Sequence, residues 1–147
     1  MSGDAGVEIR AALAPLMRQD GGVIAAFGAS KPRIYNQAPP ASARSPFPYV
    51  TLGLMHVLAE PYEGIDSGDA QWMIHVWSRP DPRTTDEAAA IAGAVRDFLA
   101  NLAPDTVELA DFALVQLRWI DTQILEDPDG MTLHAVLRFE ISYDPSP

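Results

Sequence analysis

Cysteine is absent from this chain of 147 residues, and its absence removes whole classes of chemistry. Without a thiol there can be no disulfide bridge, no thiolate nucleophile and no cysteine-ligated metal site. Long apolar runs are missing as well, since no window of about 18 residues is apolar enough to form a membrane-spanning helix. The N-terminus carries Asp4 and Glu8 where a signal peptide would have basic and then apolar residues. We therefore expect neither a membrane span nor a secretion signal.

Positive charge is scarce. Ten basic residues, of which only Lys31 is a lysine, stand against twenty acidic residues, and the formal net charge is −10. A surface of this sign repels phosphate, which disfavours sequence-independent binding to nucleic acid. Solubility alone is the usual reason for such an acidic surface. Hydrophobic residues make up 48% of the chain, which is enough for one core, and we expect residues 1–147 to form a single domain.

The clearest structural signal is a turn followed by an alternating strand near the C-terminus. Asp127, Pro128, Asp129 and Gly130 have the pattern of a type I turn, because proline presets φ and glycine closes the turn. Beyond the turn, apolar and polar residues alternate, which predicts a strand with one face in the core. The apolar set is Met131, Leu133, Ala135, Leu137, Phe139 and Ile141, and the opposite set is Thr132, His134, Arg138, Glu140 and Ser142.

Two main helices are predicted. The first has apolar residues at helical spacing between residues 7 and 17, with Asp4 as its N-cap and Gly21-Gly22 at its end. A short helical stretch over residues 23–27 follows it. The second helix covers residues 84–102, where Thr84 and Glu87 have the spacing of a capping box and an apolar stripe follows.

Four further segments have the character of strands, at residues 33–35, 49–58, 71–79 and 113–124. The second of these is apolar on both faces, which predicts burial on both sides by the protein or by a partner. In the third, Trp72, Ile74 and Val76 alternate with Met73, His75 and Trp77. In the fourth, one face has Val115, Leu117 and Trp119, and the other has Leu114 and Ile120.

Two connections stand out between these elements. Residues 36–48 contain four prolines, which forbid helix and strand pairing, so a loop is expected. Residues 59–69 are acidic and join two strands, which predicts a long β-hairpin. The order of elements indicates an α+β fold, in which a mixed or antiparallel sheet has two helices packed on one face.

No pattern in the chain predicts a catalytic site or a cofactor. His56, His75 and His134 lie in three predicted strands and could meet as metal ligands, but no short ligand spacing supports a site. The turn at residues 127–130 lacks the downstream ligands of a calcium loop. No nucleophile elbow and no phosphate-binding glycine motif is present. We therefore expect no enzymatic activity, no cofactor and no metal.

The second face of the central strands is too apolar for contact with water alone. It is predicted to include Tyr49, Met55, Met73 and Trp77, with Arg79 at its rim. Cover by another part of the same chain is the more frequent explanation of such a face. A subunit interface is the alternative, because aromatic residues and methionine are enriched there.

Three co-linear segments, which together extend over most of the chain, resemble the bacteriophage tail completion proteins. They are residues 46–53 (PFPYVTLG), residues 75–79 (HVWSR) with the helix end at residues 94–99 (AVRDFL), and residues 125–130 (LEDPDG) leading into residues 134–139 (HAVLRF). This family includes the tail terminators of long-tailed phages and of gene transfer agents.

The resemblance implies a non-enzymatic, tail-terminator-like protein that caps the head-proximal end of a tail tube as a homohexameric ring. Its partners would be its own copies, the tail tube protein and a neck or head-closure protein, with DNA only in transit through the central channel and no membrane. It would assemble in the bacterial cytoplasm and remain in the particle. Helix 84–102 is a further candidate for subunit contacts. The candidates for contacts with tube, neck or channel are Arg44, Phe47, Glu60, Glu63, Asp66 and Asp69.

Two other functions stay open at this stage. A neck or head-closure component would belong to the same particle, and ring symmetry and binding to tube ends would discriminate between it and a tail terminator. A small-molecule-binding or hydrolytic α+β domain would need a polar pocket with perturbed titratable groups, and the sequence predicts none.

Overall fold

The computed structural model describes residues 4–28, 31–36, 47–53, 55–58 and 68–145. Three helices and six strands occur in these ranges, together with a short 3-10 turn at Pro104–Thr106. The helices are α1 (Ala5–Gln19), α2 (Gly21–Ala26) and α3 (Asp86–Asn101). The strands are β1 (Ile34–Tyr35), β2 (Tyr49–Thr51), β3 (Met55–Leu58), β4 (Gly68–Ser78), β5 (Phe112–Glu126) and β6 (Leu133–Pro145).

All six strands belong to one mixed sheet, which confirms the predicted α+β class. The strand order is β1-β2-β4-β6-β5, and β3 pairs with β4 beyond the end of β2. Only β1 and β2 are parallel; every other pair in this sheet is antiparallel. The pairing of Leu58 with Asp69 confirms the predicted hairpin between β3 and β4.

The central pair of strands, β4 and β6, shows why the sheet has two different faces. Along β4, buried and more exposed residues alternate without interruption from Gly68 to Ser78, and β6 alternates in register with it. Trp72 and Phe139 lie opposite one another at the centre of the buried face. The side chains of a strand point to the two faces in turn, so the residues between them form the outer face.

Three helices cover the buried face, namely the two main helices that were predicted and α2, which confirms the short helical stretch predicted at residues 23–27. Side chains from α1, α2 and α3 join those of β4 and β6 in one hydrophobic cluster, with Ile9, Val23 and Ile91 among its fully buried members. Asp4 caps α1 as expected, through a 3.0 Å bond from the Val7 amide. No helix in the described ranges is long and apolar enough to cross a membrane.

The end of α1 differs from the prediction. Gly21 and Gly22 begin α2 and do not terminate α1 by themselves. Asp20 separates the two helices because its backbone is extended and its carboxylate accepts a hydrogen bond from the Val23 amide at 3.1 Å. A single aspartate thus ends one helix and caps the next.

The predicted continuous strand over residues 49–58 is wrong, since the strand is interrupted around Gly53 and forms two strands, β2 and β3. Gly53 has a φ of +63°, in the left-handed region that favours glycine. Thr51 pairs with His75 but Met55 pairs with Trp72, so β2 and β3 together have one residue more than the stretch of β4 opposite them. This extra residue reverses which side chains face the helices.

The start of α3 also differs from the prediction. No capping box forms between Thr84 and Glu87; Thr85 occupies the N-cap position and makes no side-chain cap bond, and the helix ends at Asn101. The Glu87 carboxylate instead accepts a 2.6 Å hydrogen bond from the hydroxyl of Ser78, which is fully buried at the end of β4. Because a buried hydroxyl needs a hydrogen-bond partner, Ser78 binds Glu87, and Glu87 does not form the capping box at the start of α3.

The turn between β5 and β6 forms where it was predicted. The Gly130 amide donates to the Asp127 carbonyl at 3.2 Å, and Gly130 has a φ of +74°. Met131, which was predicted to share the core face, is exposed because it precedes the first residue of β6 and still belongs to the turn.

The faces of β5 were also predicted incorrectly, because its register with β6 shifts twice. The shifts lie between Leu114 and Gln116 and between Trp119 and Asp121. Val115 and Ile120 are therefore extra residues outside the regular ladder. Leu114, Leu117 and Trp119 lie opposite β6 residues of the helix-covered face, although the sequence alternation separated Leu114 from the other two. β5 also extends further at both ends than the predicted 113–124.

We expect Gly53→Ala to destabilise the fold strongly. A Cβ at this position would lie 2.8 Å from the Met73 carbonyl oxygen, and the residue would keep an unfavourable positive φ. Strain and overpacking together should lower the free energy of unfolding by at least about 2 kcal/mol, measured by urea denaturation.

Gly28→Ala is the matched control, because Gly28 has a φ of +68° but no atom of the described residues, apart from its chain neighbours, lies within 4 Å of the place that an alanine methyl group would occupy. It should cost about 1 kcal/mol, from backbone strain alone. Equal losses for the two variants would show that the contact with Met73 is not what requires glycine at position 53.

Candidate assembly surface

The outer face of the sheet carries a cluster of aromatic and imidazole rings, which we call the aromatic face. It consists of Tyr49 on β2, His75 and Trp77 on β4, and His134 on β6, with Phe47 beside Tyr49. Tyr49 pairs with Trp77 and Trp77 pairs with His134, so that one row of the sheet aligns three rings. Strand pairing alone therefore assembles the cluster from three separate parts of the sequence.

The rings of the aromatic face are stacked on one another. The His134 and Trp77 rings are nearly parallel, with an interplanar angle of 12° and a centroid distance of 3.8 Å. Tyr49 lies on the other side of Trp77 at 6.3 Å, and Phe47 lies 5.1 Å from Tyr49. The indole N–H of Trp77 donates to the Thr51 hydroxyl at 3.2 Å, which fixes the ring orientation.

Arg79 lies at the rim of the aromatic face and contacts Phe47, Thr132 and Asp129. Its guanidinium lies over the Phe47 ring at 4.4 Å, donates to the Thr132 hydroxyl at 2.8 Å and pairs with Asp129 at 3.3 Å. Asp129 also accepts hydrogen bonds from the amides of Met131 and Thr132, each at 2.8 Å. The bond from the Thr132 hydroxyl, these two amides and the charge of Arg79 lower the pKa of Asp129 to about 2. The β5–β6 turn and the rim are thus one hydrogen-bonded unit.

His75 and His134 make a direct contact within the aromatic face. The His75 Nδ1 and His134 Nε2 atoms are 2.6 Å apart, which requires one ring to donate and the other to accept. Burial lowers the pKa of His75. Burial, together with the charge of His75, lowers the pKa of His134, which Asp127 partly offsets. The ordinary form of the pair near neutral pH is therefore uncharged.

Only two of the three histidines come together. His56 lies on β3 opposite Gln71, whereas His75 pairs with Val136 further along the sheet. In the ranges that the structure describes, no group of three or more histidine, aspartate or glutamate side chains could hold a metal ion.

Ion pairs occupy the outer face beyond the aromatic rings. Asp121 accepts from Arg138 at 2.7 Å, and Glu140 pairs with Arg118 on the same face. Met73 is 46% exposed and lies between the rings and these ion pairs, opposite Arg138. With Ile120 and their neighbours, it lines a shallow hollow of about 80 Å³. The outer face therefore has an aromatic half and a charged half, with exposed apolar groups between them.

A second exposed apolar surface, the β5 edge, was missed by the sequence reasoning. β5 is a terminal strand of the sheet order, so it pairs with β6 on one side only. Its exposed large apolar residues are Val115, Trp119, Ile120, Ile124 and Leu125. Soluble proteins usually protect long edge strands with charges or cover them. The signal in the sequence was present, since β5 is apolar on both of its predicted faces.

The predicted interface residues are distributed unevenly. Tyr49, Trp77 and Arg79 meet in the aromatic face, and Met73 lies on the same side of the sheet. Met55 does not, because it pairs with Trp72 and packs against the core after the strand interruption around Gly53.

The predicted contact residues fall into three groups. Phe47 belongs to the aromatic face. Asp69 is not part of a loop but lies within β4, where its carboxylate accepts from the Ser142 hydroxyl at 2.9 Å. Arg44, Glu60, Glu63 and Asp66 lie outside the described residues.

A groove between α2 and α3 is a hollow large enough for a small molecule. It has a volume of about 730 Å³ and is open to solvent. Alanine and glycine form most of its walls, with Asp20 and Asp97 as the carboxylates. Lysine, arginine and histidine are absent from its lining residues.

Comparison with known proteins finds a matching family and a similar solved structure. A family model for the tail completion protein gp17 matches residues 11–144. Among solved structures, a chain of the virion of a native gene transfer agent (GTA) particle is similar, with a TM-score of 0.78 and 21% identity. The match covers 97% of this chain and 99% of that chain, and at this identity it shows a shared fold. A search of curated proteins finds no match.

We expect Asp129→Asn to reduce the dependence of stability on acid. Because the folded-state pKa of Asp129 is about 2, below its ordinary 3.8, its contribution is present above about pH 4 and is lost as the pH falls towards 2. The asparagine variant lacks this titration, so its free energy of unfolding should change less than that of the parent over this range. Asp105→Asn, which removes a charge elsewhere, is the control. Identical profiles for Asp129→Asn and the parent would contradict the assignment.

Proposed function

The chain belongs to the tail completion protein gp17 family, and on that basis we propose that it caps the head-proximal end of a phage-like tail tube as a homohexameric ring. Family membership gives the chain a structural role in a phage-like tail, where it assembles with other tail or neck proteins. The ring, its position at the head-proximal end of the tube and its DNA channel are our proposals. In these proposals, residues 1–147 act as one domain, an idea supported by the single hydrophobic cluster that unites the three helices and the sheet.

The aromatic face is the observation that carries the proposal of a ring. Three stacked rings lie on a sheet face that none of the described helices covers, and exposed Met73 continues the apolar surface. Aromatic residues, methionine and arginine are the side chains enriched in protein interfaces. We assign the aromatic face and its Arg79 rim to the contact between neighbouring copies.

The β5 edge supplies the second surface that a ring requires. A head-to-tail ring joins two different patches, one on each side of every subunit. The aromatic face is centred on β2 and β4, whereas the β5 edge lies beyond β6 at the end of the strand order, and the two surfaces adjoin where Leu125 pairs with His134. In our proposal, the aromatic face of one copy meets the β5 edge of the next. Helix α3, whose Arg96 lies 5.2 Å from the Trp119 ring, borders this contact.

The acidic charge of the chain suits a channel for DNA. Each copy contributes a net charge of −10, so a closed ring is strongly negative. Such a channel repels the phosphate backbone, and DNA passes through without being bound. We propose that the tail tube protein binds one side of the ring and a neck or head-closure protein binds the other. Assembly takes place in the cytoplasm of the producing bacterium, and the ring then stays in the particle.

The sharpest test of the capping function is tube length. Purified protein added to polymerising tail tube protein should shorten the tubes and appear as a ring at one end in electron micrographs. A ring that forms without binding tube ends would favour the neck or head-closure alternative. A protein that remains monomeric with and without tubes, and leaves their length unchanged, would contradict the proposal.

We expect Met73→Lys to weaken assembly without harming the monomer. Met73 is 46% exposed, so the substitution should change the free energy of unfolding by no more than about 0.5 kcal/mol. A lysine charge buried in the contact should weaken association at least about tenfold, measured by light scattering over a concentration series in the presence of tubes. Val7→Lys, at a residue of α1 that is 55% exposed, is the control and should assemble normally.

A parallel experiment separates the two surfaces. Val115→Lys places a charge on the β5 edge at an exposed residue outside the strand ladder, so the pairing of β5 and β6 should persist, and, unlike Ile120, Val115 does not line the hollow beside Met73. Mixed with Met73→Lys protein, it should form pairs through the one intact contact that the mixture retains, whereas each variant alone should stay monomeric. Closed rings from either variant alone would show that the altered surface is not in the contact.

Trp77→Ala tests whether the stacked aromatic side chains contribute to assembly. Loss of the stack with His134 and of the bond to Thr51 should reduce assembly more than it reduces monomer stability, measured by urea denaturation beside light scattering. Unfolding of the monomer by this change would place Trp77 in the core and would remove the aromatic face from the proposed contact.

A further inference from the structure

The contact between His75 and His134 limits how many protons the aromatic face can hold. The two nitrogen atoms are 2.6 Å apart, so the space between them accommodates one hydrogen atom and no more. In the neutral pair, one imidazole donates and the other accepts. One added proton keeps this arrangement, because a protonated ring can donate to a neutral one in a charge-assisted bond. A second added proton makes both nitrogens donors, and the contact must open.

We propose that His75 and His134 form a proton-sensitive latch, which holds the aromatic face closed while it carries at most one added proton and opens it when a second proton binds. The ring stack transmits the change. His134 lies 3.8 Å from Trp77, and Trp77 is in turn stacked on Tyr49 and bonded to Thr51. A displacement of His134 therefore alters the shape of the apolar surface.

The surroundings of the pair do not compensate for a second charge. The charged and titratable groups on the neighbouring elements, on the same side of the sheet as the pair, are Tyr49 on β2, Arg79 after β4, Asp121 on β5, Asp127 and Asp129 in the turn, and Arg138 on β6. Asp121 is bound to Arg138 and Asp129 to Arg79. Asp127 is the carboxylate whose charge favours protonated His134. The pair can thus gain one partially compensated positive charge, but a doubly charged pair is opposed by repulsion and by burial.

The sign of the pH effect follows from this arrangement. Burial lowers the pKa of each ring in the folded chain below the ordinary 6.5. The unfolded chain therefore binds protons before the folded chain does, and stability decreases as the pH falls below about 6.5. Because the two rings share a proton site, the midpoints belong to the pair and not to either residue.

The latch is tested by a titration of the histidine and tryptophan nitrogen resonances from about pH 8 to about pH 5, with ¹⁵N-labelled protein. In the parent, we expect two proton-binding steps, the second at least about tenfold weaker than the first, and a shift of the Trp77 indole N–H in the second step alone. In His75→Gln and in His134→Gln, the remaining imidazole should titrate in one step. His56→Gln is the control, because it removes an imidazole from the same sheet and should leave both steps in place.

Two results would overturn the latch. One is independent titration of His75 and His134 in the parent, each in a single step and with no later step that shifts the Trp77 indole N–H. The other is a Trp77 response to pH that persists unchanged in His134→Gln. The first result needs the parent alone, so the latch can be overturned even if neither glutamine variant folds.

The consequence for assembly rests on the proposed function and needs a separate measurement. Mass measured by light scattering at about pH 7.5 and about pH 5 should show loss of assembly at the lower pH in the parent and in His56→Gln, but a smaller loss in His134→Gln. Two coupled steps in the titration without any change in mass would leave the latch standing and remove the aromatic face from the contact between copies. A change in mass without two coupled steps would rule out the latch and would leave the aromatic face in the contact between copies.

Discussion

The antiparallel pairing of β4 with β6 is the constraint on which the other features of this protein depend. Eleven residues of β4 pair in unbroken register with β6. Because the side chains of each strand alternate between faces, this ladder separates the molecule into a helix-covered side and an outer side. Trp72 and Phe139 anchor the first side, while Trp77 and His134 form the second. A slip of one residue would exchange the two sets and would remove both the core and the aromatic face.

The flanking strands depart from this regularity at defined positions, and each departure redirects side chains. Gly53 inserts one residue between β2 and β3, which brings Met55 to the core while Tyr49 stays on the outer face. The two register shifts of β5 place Val115 and Ile120 outside the ladder. As a result, the outer strands pack some of their apolar side chains against the core and leave others exposed at the edge of the sheet. Such irregularities are common at sheet edges, where they re-aim side chains or end the strand pairing.

The aromatic face joins structural and electrostatic roles in a small area. Arg79 links Phe47, Thr132 and Asp129, so the rim is tied to the β5–β6 turn. Next to it, an uncharged histidine pair supports Trp77. Asp121 and Asp129 are paired with arginines, and in our proposal the protonation state of the two imidazoles controls the shape of this surface. A tail completion protein assembles with other tail or neck proteins, and in our proposal the stacked rings among ion pairs form the contact between copies.

The amino-acid sequence by itself determined the local features of this protein, where a few neighbouring residues decide the outcome. Asp4 as a cap, the turn at residues 127–130, the apolar side of β4 and the mixed α+β class were all predictable, because they follow from backbone preferences and from alternation within one segment. The family was predictable too, through three short segments in a fixed order. The tertiary structure alone decided the face of Met55, the partner of Glu87, the place of Asp69 and the meeting of His75 with His134. These depend on register between segments far apart in the chain, and a single inserted residue, which the local pattern does not reveal, reverses the result.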